Sequence, residues 1–242
     1  MTPMAAPPRA RRDYGPVQLA DHLGLARWQL DRALADGLIP GPDRPGGRWS
    51  AAVADNAWTD IGAICAAVGS VPDVGAVRAA EVLSGRLGLV VTADGVEELA
   101  RRGLLPITGY YKDHALYDGR ALEAFTDTAT VGDATWGGHL RTAAQAAGYL
   151  RIRRSDLGHL TRPGILRPVK HGCGPFDRRG QASVPLYRTG DLDALAARPD
   201  IDWAAVRATS PRHRSPLAAI EQAENILAAL AGRPATGRRR PR

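Results

Sequence analysis

The chain has 242 residues, 44% of them hydrophobic and 24% charged, which is the composition of a globular protein. Its net charge of +7 favours a polyanionic partner, and no apolar run approaches the roughly 20 residues that a membrane helix needs. Because the first residues contain no signal-like apolar stretch and only Cys65 and Cys173 are present, we expect a cytoplasmic protein without a disulfide framework.

One pattern occurs three times along the chain: a helix, a turn, a second helix ending in Gly-aliphatic-aliphatic, then a polar stretch closed by an aromatic residue. The copies run from Leu19 to Trp49, from Ala79 to Tyr117 and from Ala143 to Tyr187. Their glycines lie at positions 37, 103 and 164, so the spacing is about 60 residues per unit. Each unit is therefore predicted to be small and to pack on its neighbours.

The repeat predicts a mainly α-helical fold with short β-hairpin wings, in which three tandem helix-turn-helix units precede a C-terminal helix. The predicted segments are a flexible basic N-terminus (1–16), unit 1 (17–70), unit 2 (71–130), unit 3 (131–210), and a C-terminal helix with a basic tail (211–242).

In unit 1, Val17 and Leu19 begin the inner face of the first helix, and Leu30 and Leu34 form that of the second. The side chains predicted to face outward from the second helix are Arg27, Trp28, Gln29, Asp31 and Arg32. The predicted DNA-binding residues of this unit are Arg27, Trp28, Gln29, Arg32 and Arg48, since Arg and Gln can reach base edges in a major groove and Arg48 in the wing can contact phosphate. The alternative is that the arginines are solvated charges and Trp28 packs on the next unit.

Unit 2 keeps the pattern but reverses the charge of its second helix. Val96 and Leu99 are predicted to face inward, and Asp94, Glu97 and Glu98 outward. Three carboxylates would repel phosphate at the position where DNA binding needs cations. We therefore expect this unit to pack, to space its neighbours or to bind a protein partner, with Asp94, Glu97 and Glu98 as the protein-interaction residues.

Unit 3 restores a basic face, and residues 131–210 carry a net charge of +5 from 12 basic and 7 acidic residues. Leu157 and Leu160 are predicted to face inward. The residues available to DNA are Arg151, Arg153, Arg154 and His159 from the second helix and Lys170, Arg178 and Arg179 from the longest wing. An Arg-rich wing suits a minor groove or the flanking backbone, and a solvated loop is the alternative.

Residues 211–242 carry a further +5, from 7 basic and 2 acidic residues. An apolar stripe predicts a helix over 216–231, which either lies on unit 3 or forms a homodimer with a second copy. The arginine-rich tail after it is suited to nonspecific attraction of phosphate.

The order of these features resembles the winged-helix DNA-binding module of the MerR family and of phage excisionases. The resemblance is carried by the residues from Leu19 to Leu25, by Gly37-Leu38-Ile39-Pro40, by Arg48-Trp49 and, in the third copy, by the residues from Leu186 to Leu192. It implies DNA binding by the second helix and wing. The residues concerned are Arg27, Gln29, Arg32, Arg48, Arg153, Arg154, Arg178 and Arg179. The long dimerisation helix and effector domain of MerR regulators are not evident, so metal or drug sensing is not expected.

No catalytic constellation is present, and His171-Gly172-Cys173 lacks the second ligand pair of a metal site, so we expect neither an enzyme nor a metal or cofactor. The expected function is sequence-specific binding of double-stranded DNA by units 1 and 3, in a nucleoid-associated bacterial transcriptional regulator. The alternative is an architectural, excision or partition factor, or an assembly adaptor whose winged helices, especially unit 2, contact proteins.

Overall fold

A computed structural model describes residues 13–177, 180–210 and 212–231. The helices are α1 (Pro16–Leu23), α2 (Arg27–Ala35), α3 (Ala51–Thr59), α4 (Ile61–Val68), α5 (Ala76–Leu87), α6 (Ala93–Arg101), α7 (Gly119–Ala124), α8 (Thr128–Gly138), α9 (Ala143–Leu150), α10 (Arg154–Thr161), α11 (Thr189–Ala196), α12 (Trp203–Ala208) and α13 (Leu217–Leu230). The strands are β1 (Asp13–Tyr14), β2 (Trp49–Ser50), β3 (Ile107–Tyr111), β4 (His114–Tyr117), β5 (Leu140–Thr142), β6 (Lys170–Asp177) and β7 (Gly180–Arg188). The predicted mainly helical fold with small antiparallel sheets is confirmed.

The described chain divides into two compact lobes. The first lobe comprises residues 13–89 and 102–127, and the second lobe comprises residues 90–101 and 128–231. The predicted unit 2 is therefore shared between them, because α5, α7 and the β3–β4 hairpin belong to the first lobe and the acidic helix α6 belongs to the second. Among the described residues, no helix has the length and apolar character needed to span a membrane.

The core of the first lobe lies among α1, α2, α3 and α4, where Leu19, Leu30 and Ile39 are almost completely buried. Strand β1 pairs antiparallel with β2, which places Tyr14 opposite Trp49. The Trp49 indole N–H donates to the carbonyl of Pro40 at 2.8 Å, and the aromatic side chain is buried in the core. Val17, predicted to face inward, is instead exposed, because α1 buries its other face.

The core of the second lobe is formed by α9, α10 and α11 together with residues from α12 and α13. A three-stranded antiparallel sheet in the order β5-β7-β6 extends the hairpin predicted as the third wing. Leu157 and Leu160 of α10 are buried as predicted, and Leu192 and Leu217 pack in the same cluster. Helix α9 begins with a capping box, in which the Thr142 hydroxyl accepts from the amide N–H of Gln145.

Helix α6 packs closely on α8 because glycines at the contact leave room for backbone. A Cβ on Gly138 would lie 2.4 Å from the carbonyl oxygen of Asp94, and one on Gly95 would lie 2.8 Å from the Cα of Thr135. Real Cβ atoms do not approach backbone so closely. These two glycines therefore fix the acidic helix within the second lobe.

The repeat seen in the sequence is also a repeat of backbone geometry. Gly37, Gly103 and Gly164 all have positive φ, at 70°, 73° and 82°, as predicted for residues that end the second helix of each copy. The second aliphatic residue after each glycine is buried, and so is each closing aromatic residue. The residues concerned are Ile39, Leu105 and Leu166, and Trp49, Tyr117 and Tyr187.

Candidate nucleic-acid interface

The outer face of α2 is covered by the chain that follows α4. The Arg32 guanidinium donates to the carbonyl oxygens of Val68 and Val71, forms an ion pair with Asp73, and lies over the Trp28 ring at 4.9 Å. Only 10% of the Arg32 side chain is exposed. The predicted outward orientation of Arg32 is therefore wrong, because its donors bind Val68, Val71 and Asp73.

Gln29 is occupied in the same way. Its amide nitrogen donates to the carbonyl of Gly69 at 2.9 Å, and its amide oxygen accepts from the backbone N–H of Ala26 at the start of α2. A side chain with both ends engaged is not available to read a base, so the predicted outward role of Gln29 is also corrected. The half-buried Trp28 lies beneath Arg32.

Two of the predicted residues in the first lobe remain accessible. Arg27 is exposed but forms an i,i+4 ion pair with Asp31 at 2.9 Å, which offsets its charge. Arg48 is exposed beside β2, and its guanidinium lies 3.4 Å from the carbonyl oxygen of Asp13. The first lobe therefore presents less positive charge than the sequence predicted.

The acidic face of α6 contacts its own lobe. Lys170 Nζ lies 2.9 Å from Oδ1 of Asp94 and 3.4 Å from Oε2 of Glu97. Burial opposes the charged form of Lys170, but the two carboxylates hold its pKa above the ordinary value. Lys170, predicted to contact DNA, is therefore neutralised within the lobe, and its two acidic partners are only partly exposed.

Glu98 faces the interior, so its predicted outward orientation is wrong. Its side chain is 1% exposed, and its carboxylate accepts from Arg101 Nε at 2.7 Å and from Arg101 Nη2 at 2.5 Å. Arg188 Nε lies 3.8 Å from the same group. A buried carboxylate requires such cations because an unpaired buried charge is strongly destabilising.

Arg153 and His159 of the third copy also have internal partners. Arg153 donates to the buried carboxylate of Asp156 and to the carbonyls of Ser210 and His213, at 3.0 and 3.3 Å. His159 Nδ1 is hydrogen-bonded to Glu221 of α13. Their predicted roles as free DNA contacts are corrected, because both bind the segment that follows α12.

Four exposed arginines lie close in the chain to Arg153 or to His213. Arg154 follows Arg153 directly and Arg151 lies two positions before it, and Arg212 and Arg214 flank His213, whose carbonyl Arg153 binds. All four side chains are exposed, and their guanidinium groups have no hydrogen-bond or ion-pair partner among the described residues. We call Arg151, Arg154, Arg212 and Arg214 the arginine surface.

Half of this surface was missed in the sequence. Arg151 and Arg154 were predicted as site residues, but Arg212 and Arg214 were assigned only to a basic C-terminal segment. The excess of +5 over residues 211–242 was a usable signal. The contact between Arg153 and the 210–213 backbone could not be read from it.

Arg151 has an unusual backbone conformation for its residue type. It ends α9 in the left-handed region, with φ 55° and ψ 45°. The same place after the first helix of the other two copies is taken by Gly24 and Gly88, both with φ 67°. A residue with a Cβ is less stable than glycine there by about 1 kcal/mol.

Two further predictions concern the β6–β7 hairpin. Arg178 and Arg179, predicted wing residues, lie outside the described residues. In the described part of the chain, no group of three or more His, Cys, Asp or Glu side chains could hold a metal ion.

No family model, curated protein or solved structure matches this chain.

Proposed function

We propose that the protein binds double-stranded DNA in a sequence-specific manner and acts as a bacterial transcriptional regulator, on the nucleoid and in the cytoplasm. The second lobe is the main DNA-binding part, and the arginine surface is its contact. The first and third copies are winged helix-turn-helix units, with α2 and α10 as their second helices. The repeated glycine turns and buried aromatic residues support this assignment.

The observation that carries the proposal is the free, left-handed Arg151. A position where the other two copies have glycine holds an exposed arginine, although glycine would be more stable there. Strained backbone clusters at functional sites, and Lys112 and Asp113 in the β3–β4 turn are the other two non-glycine residues with positive φ in the described chain. A guanidinium at the turn before α10 carries paired donors that suit phosphate or the O6 and N7 atoms of guanine.

The surroundings of Arg151 suit a polyanion. Arg154 is the first residue of α10, where the helix dipole adds positive potential. Arg212 and Arg214, the chain neighbours of His213, add two further charges, and Asp156, the acidic residue of this turn, is buried against Arg153. Up to four phosphate contacts would make affinity fall steeply as salt is raised.

The first lobe has a smaller role than the sequence predicted. Since Gln29 and Arg32 are occupied, Arg27 and Arg48 remain as contacts to the DNA backbone. The acidic helix offers little support for an assembly adaptor, because Asp94 and Glu97 bind Lys170 and Glu98 is buried.

Selection of bound duplexes from a random pool tests the proposal. The full-length chain should enrich a shared motif over successive rounds. A labelled duplex carrying that motif should be displaced far less by unrelated DNA than by the same duplex without the label. Equal displacement by unrelated DNA would reject sequence-specific regulation and favour the architectural, excision or partition role. Retention of no duplex at low salt would reject DNA binding altogether.

A further inference from the structure

We propose that α13 occludes the DNA-facing side of α10 and that tight duplex binding requires its displacement. The inference rests on the proposed function, since it concerns regulation of the same surface. Arg151 and Arg154 are exposed at the start of α10, whereas His159 farther along the helix is half-buried and hydrogen-bonded to Glu221 of α13.

The first turns of α13 are firmly attached to the lobe. Leu217 is fully buried in the core cluster that contains Leu157 and Leu160 of α10, and Ala218 is 7% exposed. Ala218 borders the open groove that α13 forms with His159 and Arg162, so it faces α10. Helix α13 therefore packs against α10 through Leu217, and Glu221 lies beside His159 and Arg162.

A carboxylate of α13 occupies the cations of α10. Glu221 contacts His159 Nδ1 through Oε2 and Arg162 Nη1 through Oε1, and 15% of its side chain is exposed. Burial opposes its ionisation, but the hydrogen bond from His159 and the charge of Arg162 hold its pKa below the ordinary value. Glu221 thus supplies an internal anion where a DNA phosphate would otherwise bind.

The second half of α13 is held much less well. Ile226 and Leu227 are 54% and 59% exposed, so the apolar stripe is not buried over its whole length. The preceding loop is anchored separately, because Arg153 binds the carbonyls of Ser210 and His213. The turns of α13 beyond Leu217 can therefore leave α10 while Leu217, Ser210 and His213 keep their place.

A matched pair of uncharged substitutions tests the occlusion. Ala218→Gln inserts a longer side chain between α13 and α10, whereas Ala219→Gln makes the same change at the exposed neighbouring residue. We expect Ala218→Gln to bind a labelled duplex about fivefold or more tightly than the wild type at equal salt. Ala219→Gln should bind as the wild type does.

Amide hydrogen exchange of the wild-type protein gives an independent readout. Peptides from 217–227 should exchange faster when saturating duplex is bound, while peptides from 143–161 should exchange more slowly. The same α13 peptides should exchange faster in Ala218→Gln without DNA, and its thermal unfolding should remain cooperative.

The outcomes separate the two proposals. If neither the wild type nor the variants bind duplex, the proposed function is rejected. If all three proteins bind duplex with equal affinity and bound duplex does not change the amide hydrogen exchange of α13, DNA binding stands and occlusion by α13 is rejected. Tighter binding by both variants would also overturn the occlusion, because the exposed control would share the effect.

Discussion

Arg153 and Asp156 form a bidentate ion pair at the start of α10, with Nε to Oδ2 at 2.9 Å and Nη2 to Oδ1 at 2.8 Å. The carboxylate also accepts from the backbone N–H of Arg153 at 3.2 Å. Arg153 uses its remaining nitrogen, Nη1, to bind the carbonyls of Ser210 and His213, so a residue that resembles a DNA contact in the sequence is a structural one.

The ion pair predicts pH-dependent stability for the second lobe. Asp156 is 1% exposed, and although burial opposes ionisation, hydrogen bonds from Arg153 and Ser215 hold its pKa below the ordinary value. A depressed pKa stabilises the fold above the unfolded-state pKa of about 4, and this stabilisation is lost as the pH falls through the folded-state pKa.

Asp156→Asn should therefore lower the free energy of unfolding by about 1–3 kcal/mol at pH 7. The difference from the wild type should shrink below about pH 4, as the wild-type carboxylate becomes protonated. Urea unfolding at several pH values measures it. A difference that stays constant from pH 7 to pH 3 would contradict this account of the pair.

Arg153 and Arg154 are adjacent, yet their substitution by Ala should have different effects. Arg154→Ala should reduce the slope of log affinity against log salt by about 0.9 for one lost phosphate contact, with little change in thermal stability. Arg153→Ala should lower the thermal midpoint, because it leaves the buried Asp156 without its cation. Salt titrations and melting curves of both variants check this, and identical behaviour would refute the division of roles.

Glu98 is predicted to stabilise the fold through its buried ion pair. Glu98→Gln should cost about 1–3 kcal/mol of unfolding free energy, since the pair with Arg101 is buried on the carboxylate side. Glu97→Gln is the control on the same helix, and the loss of a half-exposed carboxylate should cost no more than about 1 kcal/mol. If Glu98→Gln leaves stability unchanged but abolishes binding of a copurifying protein, Glu98 is a partner contact after all.

The sequence predicted the local features of the fold correctly. Gly37, Gly103 and Gly164 end helices with positive φ, and the predicted C-terminal helix over 216–231 appears as α13. Each of these features depends on residues that are neighbours in the chain. Spacing and residue type were therefore enough to predict them.

The exposed faces of the helices were predicted less well. The spacing of apolar residues identifies the face that packs on the neighbouring helix, but it does not show whether a distant segment covers the opposite face. Arg32 is covered by residues 36 to 41 positions later, and His159 by a residue 62 positions later. Such long-range coverage depends on tertiary packing. The sequence of a basic helix does not show which of its charges a distant segment neutralises. Homodimer formation through α13 stays a prediction.

Arg151→Gly tests the central claim most directly, because it should change stability and binding in opposite directions. Glycine relieves the left-handed backbone, so the variant should be more stable by about 0.5–1 kcal/mol. The control for a lost positive charge is Arg78→Ala, at an exposed arginine of α5 in the first lobe. Alanine is used there because glycine inside a helix would destabilise α5.

The decisive measurement is the salt dependence of duplex affinity for Arg151→Gly, taken with its thermal midpoint. We predict weaker binding, a log-log slope smaller by about 0.9 than that of the wild type, and a raised midpoint, while Arg78→Ala keeps the wild-type slope. An unchanged affinity and slope in a folded Arg151→Gly protein would contradict the claim that the arginine surface binds DNA.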